Sequence, residues 1–237
     1  TVTFSWNQFN KEEAKKLFNI AEKYKKEERM IEAKEWYEKA ATKGNIEAIY
    51  YLGEFYNEEG DKVKAKKLFE KAATKGNVLA MSRLGLLYSK EGDKVKAKEW
   101  YEKAATKGNI LAMNNLGRLY SKEGDKVKAK EWYGKAATKG SLEAINNLGL
   151  CYSEEGNKVK AKELFEKAAI KGNVEAMRNL GVFHYKEGDK EKAKEWYEKA
   201  ASKGDVEAMG NLGVLYYKEG DKEKAKEWYE KSAARGN

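Results

Sequence analysis

The chain has 237 residues, 41% of them hydrophobic and 37% charged, with a net charge of +9 from 48 basic against 39 acidic residues. A single cysteine, Cys151, excludes an internal disulfide framework and a cysteine-based metal site, and no apolar run reaches the length of a membrane span. The positive balance would attract acidic partners or nucleic acid, but Lys and Glu alternate along the chain as they do on solvated helices. The sequence opens on Thr1 without a signal peptide or lipidation box, so cytoplasmic residence and export followed by signal removal both stay open.

In chain order, residues 1–10 alternate Val2, Phe4 and Trp6 with Thr and Ser, a period-two pattern that predicts an extended segment lying as a flap on the first helix or as an arm in a neighbouring molecule. From residue 11 one pattern takes over. The stretch Trp100 to Asn109 returns in near copies, and its second alanine recurs at Ala41, Ala73, Ala105, Ala137, Ala169, Ala201 and Ala233, every step being 32 residues. Such a period means one supersecondary unit stacked on the next, with contacts between nearest neighbours. The register gives a single domain over 11–237 built of seven units, approximately 13–44, 45–76, 77–108, 109–140, 141–172, 173–204 and 205–236.

Each unit reads as two helices. In residues 77–108, Asn77 caps helix A, Gly92 suits a left-handed turn at its end, and Asp93 caps helix B. Turns this short make the two helices antiparallel neighbours, so the fold class is all-α. Apolar residues fall at helical spacing: Ala80, Met81, Leu84, Leu87 and Tyr88 in helix A, and Val95, Ala97, Trp100, Tyr101 and Ala104 in helix B. Gly85 and its equivalents Gly53, Gly117, Gly149, Gly181 and Gly213 interrupt helix A at a cost of about 1 kcal/mol each. Close approach of helix B through a small residue such as Ala97 would explain them. In the first unit Ala21 replaces that glycine, and Lys16 stands where later units have a buried alanine, as suits a unit with nothing packed before it. The last helix carries Trp228 and Tyr229 with no polar capping helix after it, which leaves an apolar face for further chain or for self-association.

The pattern carried by Leu116, Gly117, Tyr120, Gly124, Asp125, Lys128, Ala129, Trp132, Tyr133, Lys135, Ala136 and Ala137 resembles the Sel-one-like repeat, a relative of the tetratricopeptide repeat. The resemblance implies a right-handed α-solenoid of antiparallel helix pairs whose helices A line a concave face. It also implies a non-catalytic adaptor or scaffold that binds a protein or peptide segment. The short loop between helices, without the family's G-x-G-V insertion, and the absence of proline leave the superhelical pitch open.

The residues themselves point away from catalysis. His184 is the only histidine and sits in a tyrosine column, Cys151 sits in an apolar column, and neither a nucleophile–base pair nor a phosphate-cradling glycine loop is present. No cofactor or metal is expected.

On the helix A face one column reads Asn19, Tyr51, Arg83, Asn115, Asn147, Asn179 and Asn211. An Asn amide offers both a donor and an acceptor to an extended backbone. Resemblance to superhelical repeat proteins implies that Asn115, Asn147, Asn179 and Asn211 do this, while bracing of adjacent helices is the alternative. Beside the ladder stand Asn114, Asn146 and Arg178, then Arg118, Leu150, Val182 and Val214, then Tyr185 and Tyr217, with Lys186 and Lys218 on the flank. These suit a peptide with hydrophobic side chains and acidic character. The N-terminal half, with Phe18, Glu22, Tyr50, Glu54 and Glu58, is more acidic and aromatic. Two alternatives remain: nucleic-acid or acidic-surface binding through Lys-rich helices B, for example Lys94, Lys96 and Lys98, and a self-assembling or designed stack without ligand. The first is weakened by the acidic residues between the lysines and by Trp100 and Trp132 being expected in the core. Two stability expectations follow: Trp132→Ala should cost about 3 to 5 kcal/mol, and alanine at Asn147 and Asn179 should cost little.

Overall fold

The computed structural model describes residues 2–236, with side chains from Trp6 onward, and all regular structure among them is helical. The helices are α1 (Val2–Lys26), α2 (Met30–Thr42), α3 (Ile46–Glu58), α4 (Lys62–Thr74), α5 (Val78–Lys90), α6 (Lys94–Thr106), α7 (Ile110–Lys122), α8 (Lys126–Thr138), α9 (Leu142–Glu154), α10 (Lys158–Ile170), α11 (Val174–Lys186), α12 (Lys190–Ser202), α13 (Val206–Lys218) and α14 (Lys222–Arg235). By contacts they cluster into two compact units, residues 1–119 and 120–237, where the repeat register alone predicts one domain over 11–237. Within each unit the helices pack pairwise in sequence order, α1 to α6 in the first and α8 to α14 in the second.

Helix starts are fixed by the caps expected from sequence. Asn45, Asn77, Asn109, Asn173 and Asp205 accept the backbone N–H three residues on at 2.7–2.8 Å. Asp61, Asp93 and Asp221 do the same at 3.0 Å for helices B. Each such cap stabilises its helix by about 1 kcal/mol. Gly92 ends α5 at φ +83°, a conformation that costs a residue with a Cβ about 1 kcal/mol. In the first turn of the chain Glu28 takes that place, at φ +59°.

The N-terminal expectation is corrected. Residues 2–10 are the first turns of α1 and not an extended segment; Thr1 lies outside the described residues. No Gly or Pro separates this stretch from the helix that follows, and propagating a helix is far cheaper than nucleating one. Trp6 and Phe9, at i,i+3 on one face, stack with centroids 6.0 Å apart.

The helix B core stripe is narrower than the apolar spacing suggests. Ala97, Tyr101, Ala104 and Ala105 are 0–2% exposed. Val95, counted as a core position, is 66% exposed, as are Val63 at 68% and Val159 at 79%. At 100° per residue Val95 lies about 160° around the helix from Ala97, so it faces solvent. The paired aromatics also divide their roles. Tyr101 is buried, whereas Trp100 and Trp132 are only half-buried, each beneath the ammonium of the lysine three residues on, at 4.3 and 4.2 Å. Adjacent helical residues point 100° apart, so only one of the two can face the core.

The helix A glycines have a different partner from the one expected. A Cβ at Gly85 would stand 2.5 Å from Tyr101 Cδ1, at Gly53 2.7 Å from Phe69 Cε1, and at Gly181 2.4 Å from Tyr197 Cδ1. The glycine admits the aromatic ring of its own unit's helix B and not Ala97. Burial of that ring, at 25 cal/mol per Å² of apolar area, outweighs the cost of about 1 kcal/mol for a mid-helix glycine.

Candidate peptide-binding face

The candidate residues project from helices A, where an apolar stripe faces helix B and the residues beside it form the opposite face. In the first unit Asn114 on α7 is buried at 2% exposure and Asn115 beside it is half-buried. Arg118 is exposed one turn on. Its charge opposes the effect of burial on Tyr101, whose hydroxyl is pushed up to about 12. The acidic and aromatic residues of this unit are largely engaged with one another. Glu22 accepts the Tyr37 hydroxyl, and Glu54 Oε2 pairs with Arg83 at 2.6 Å. Phe18, Tyr37 and Tyr51 pack ring against ring with centroids 5.4–6.1 Å apart, and the Lys25 ammonium lies 4.0 Å from the Tyr51 ring centre.

In the second unit the asparagines do more than line a surface. Asn179 Nδ2 on α11 donates to Asn146 Oδ1 on α9 at 2.9 Å, and Asn146 is 1% exposed. Asn146 therefore belongs to the interior, and Asn179 gives one of its two amide N–H donors to bracing two successive helices A. Asn147 and Asn211 are half-buried, and Asn211 makes no side-chain hydrogen bond among the described residues. Arg178 is also committed, to Asp205 Oδ2 at 2.7 Å and Glu207 Oε2 at 3.1 Å. The ladder is thus in part a helix-to-helix brace, the alternative left open by the sequence.

What the face offers a ligand lies one turn further along. Leu150 is 39% and Val214 40% exposed, while Val182 is half-buried. Leu150, Asn179 and Val182 line a cavity of about 300 Å³, with Phe165 and Phe183 contributing apolar wall and Ser153 and Lys186 the rim. One side is closed by Lys158, whose Nζ donates to Glu187 Oε1 at 2.6 Å. Lys186 is exposed at the rim, with no carboxylate partner among the described ion pairs. Beyond the cavity, Tyr185 is half-buried and accepts from Lys218 Nζ at 2.6 Å, and Tyr217 is 61% exposed. Sequence reasoning missed Lys158, Phe165 and Glu187. Lys158 and Glu187 are 29 residues apart, and no local pattern announces a pairing across two helices.

The chemistry-bearing residues sit where packing puts them. His184 is 6% exposed, and burial, helped by Lys162 and Lys192, holds its pKa below the ordinary value against Asp189 and Glu166. Burial raises the Cys151 thiol, with Glu154 and Glu155 adding to the effect. No group of His, Cys, Asp or Glu among the described residues is arranged to hold a metal ion, and no described helix is long and apolar enough to cross a membrane. On helices B the lysines alternate with partners: Lys96 lies 3.6 Å from Asp93, and Lys66 2.7 Å from Glu91. The Trp rings that nucleic-acid bases would need are each covered by a lysine of their own helix.

The Sel1 repeat model matches residues 30–45, 46–77, 78–109, 110–141 and 174–205, more than half of the chain, and a tetratricopeptide repeat model matches 142–169 and 206–234. No curated protein matches. Among solved structures, c5321, a protective antigen of uropathogenic Escherichia coli displaying an SLR fold, is 30% identical over 94% of this chain, with a TM-score of 0.57; the chain spans 62% of that antigen's length. A Sel1 repeat protein from Oxalobacter formigenes is 27% identical over 94% of this chain and 99% of its own, with a TM-score of 0.67. PilF of Pseudomonas aeruginosa, 22% identical over 77% of this chain and 88% of its own at a TM-score of 0.67, shares the fold. Repeat register, capped antiparallel helix pairs and family match agree: the chain belongs to the Sel1 repeat family.

Proposed function

We propose that this protein is a non-catalytic interaction module, an adaptor or scaffold, whose second unit holds an extended segment of a protein partner on its helix A face. Sel1 and tetratricopeptide repeats typically serve as protein-interaction scaffolds, which supports the class. The observation that carries the site is the cavity of about 300 Å³ that gathers Leu150, Asn179 and Val182. Its apolar wall suits one hydrophobic side chain of the partner, and Lys186 at the rim suits a neighbouring carboxylate. Asn211 is the ladder member of this unit best placed to meet a peptide backbone, because it makes no side-chain hydrogen bond among the described residues while Asn179 already gives an amide N–H to Asn146; Asn147 stands in the same column. Arg118, Val214, Tyr185 and Tyr217 extend the proposed contact surface of their own units, and Asn115 is its counterpart in the first.

A random peptide library displayed on phage and selected against the immobilised chain tests this. Enriched peptides should carry an apolar residue beside Asp or Glu, and Leu150→Asp or Val182→Asp should weaken their binding by about tenfold or more, as loss of a buried anchor does. Peptides that bind both variants as well as wild type would move the site elsewhere.

A further inference from the structure

One contact between successive repeats recurs in both units. A helix B lysine reaches the end of the next helix A, where its ammonium meets a carboxylate and lies near a tyrosine ring three residues before it. Lys34 pairs with Glu59 at 2.7 Å, Lys66 with Glu91 at 2.7 Å, Lys130 with Glu155 at 2.8 Å and Lys194 with Glu219 at 3.1 Å. The same ammonium groups stand 4.3, 4.0, 4.4 and 5.4 Å from the rings of Tyr56, Tyr88, Tyr152 and Tyr216. Seated in this clamp, the lysine side chains are only 15–28% exposed. The register is broken at Glu187, which is taken by Lys158 instead.

Two halves of the clamp have no such partner. On α14, Lys226 occupies the lysine position with its side chain 78% exposed, and the carboxylate near it is Glu230 of its own helix at 3.8 Å. On α1, Tyr24 and Glu27 occupy the acceptor positions. Glu27 is 44% exposed, and in place of a lysine from a preceding repeat the cation near it is Arg29, 3.8 Å from the carboxylate and 4.6 Å from the Tyr24 ring centre, with its stronger pairing to Glu32 at 2.7 Å. The surfaces around the two halves match as well. Tyr229 on α14 is 42% exposed, while its equivalents Tyr37, Phe69, Phe165 and Tyr197, on helices B that each pack against a following helix A, are 0–3% exposed. Beside Tyr229 a shallow cavity of about 500 Å³ is walled by Tyr217, Ala225 and Ala233. On α1, Leu17 and Ile20 are half-buried, where their equivalents Ile49 and Leu52, or Met81 and Leu84, are 0–8% exposed. Lys16 and Lys23 are polar interruptions, standing where later repeats have Ala48 and Phe55, and their aliphatic stems can lie along an apolar surface with the ammonium groups outside.

We propose that α1 of one copy docks on α14 of a second copy, so that Lys226 closes on Tyr24 and Glu27 as Lys34 closes on Tyr56 and Glu59. The occupant of the α14 face is thus a second copy of this chain, chosen because its α1 carries the acceptor half of a clamp the chain builds repeatedly, with only Arg29 of its own copy in the lysine's place. The contact is heterologous, head to tail, and it leaves each dimer with one free end of either kind.

The experiment is sedimentation velocity at low salt over a wide concentration range, on wild type, Lys226→Glu, Glu27→Lys, and an equimolar mixture of the two variants. Both positions are exposed, and circular dichroism confirms that each variant is folded. Wild type should show a mass that rises with concentration. Each variant alone places like charges at the contact and should lose about tenfold or more in association. In the mixture the ends of unlike copies carry opposite charges, both where the two substituted positions meet and where the unaltered Lys226 of one copy meets the unaltered Glu27 of the other. Association should then return to the wild-type level. A monomeric wild type, variants that associate as well as wild type, or a mixture no better than either variant would each overturn the proposal. Neither substitution touches the Leu150 cavity, so peptide binding stays intact whichever result appears.

Discussion

Gly181 and Gly134 are both helical glycines of the second unit, and replacing each with alanine should have opposite effects. Either substitution gains about 1 kcal/mol of helix propensity. At Gly134 nothing lies within 4 Å of the new Cβ, so Gly134→Ala should stabilise the protein by about 1 kcal/mol. At Gly181 the Cβ would stand 2.4, 2.5 and 3.0 Å from Cδ1, Cε1 and Cγ of Tyr197, where carbon contacts normally fall at about 3.5–4.0 Å. The ring would have to retreat by about 1 Å, yet Tyr197 is 3% exposed and wedged in the core. Overpacking of that kind costs about 3 kcal/mol, which leaves Gly181→Ala about 2 kcal/mol less stable than wild type. Urea titration followed by far-UV circular dichroism measures both variants. Native-state hydrogen exchange localises the change, because a repeat array need not unfold in one step. A Gly181→Ala variant as stable as wild type would refute the claim that the glycine column exists to admit the ring.

Three further outcomes follow from burial. Tyr133→Ala should cost about 3 to 5 kcal/mol, and Trp132→Ala roughly half that, because Tyr133 is 5% exposed and Trp132 half-buried under Lys135; equal losses in urea titration would contradict the division of roles. Asn179→Ala should destabilise by about 1 to 3 kcal/mol, since it strips the donor from a buried Asn146 carbonyl, while Asn211→Ala should be nearly neutral; the reverse order by thermal melting would return the brace to a surface role. His184 binds a proton less readily folded than unfolded, so between the unfolded pKa of about 6.5 and its depressed folded value the unfolded state holds more protons. Stability should therefore fall as pH drops below about 6.5, and His184→Tyr, the residue its column otherwise carries, should flatten that dependence in melts recorded at pH 7 and 5.

Much of the fold was legible because repeat proteins punctuate themselves. Asn77, Gly92 and Asp93 mark helix ends by local chemistry, and their structural roles need nothing beyond three neighbouring residues. The first errors came from features that depend on angle and not on spacing alone. Val95 and Trp100 fit a loose apolar pattern, but only Ala97, Tyr101, Ala104 and Ala105 share a stripe narrow enough to be fully buried. The α1 helix was hidden by a short alternation of Val2, Phe4 and Trp6, which helix propagation overrides. The apolar members of the site, Leu150 and Val182, were readable as variable positions beside a packed column. The commitment of Asn179 to Asn146, the Lys158–Glu187 pair and the lysine–tyrosine–glutamate clamp were not, because each joins residues 22 to 33 positions apart and depends on how successive helices superpose.

The central claim, that the helix A face of the second unit receives a peptide at the Leu150 and Val182 cavity, is tested most directly by hydrogen exchange on the full chain with and without a selected peptide. The account predicts slowed exchange concentrated in residues 142–187, covering α9 to α11, and its disappearance in Leu150→Asp. Protection confined to helices outside that span, or unchanged by Leu150→Asp, would contradict it.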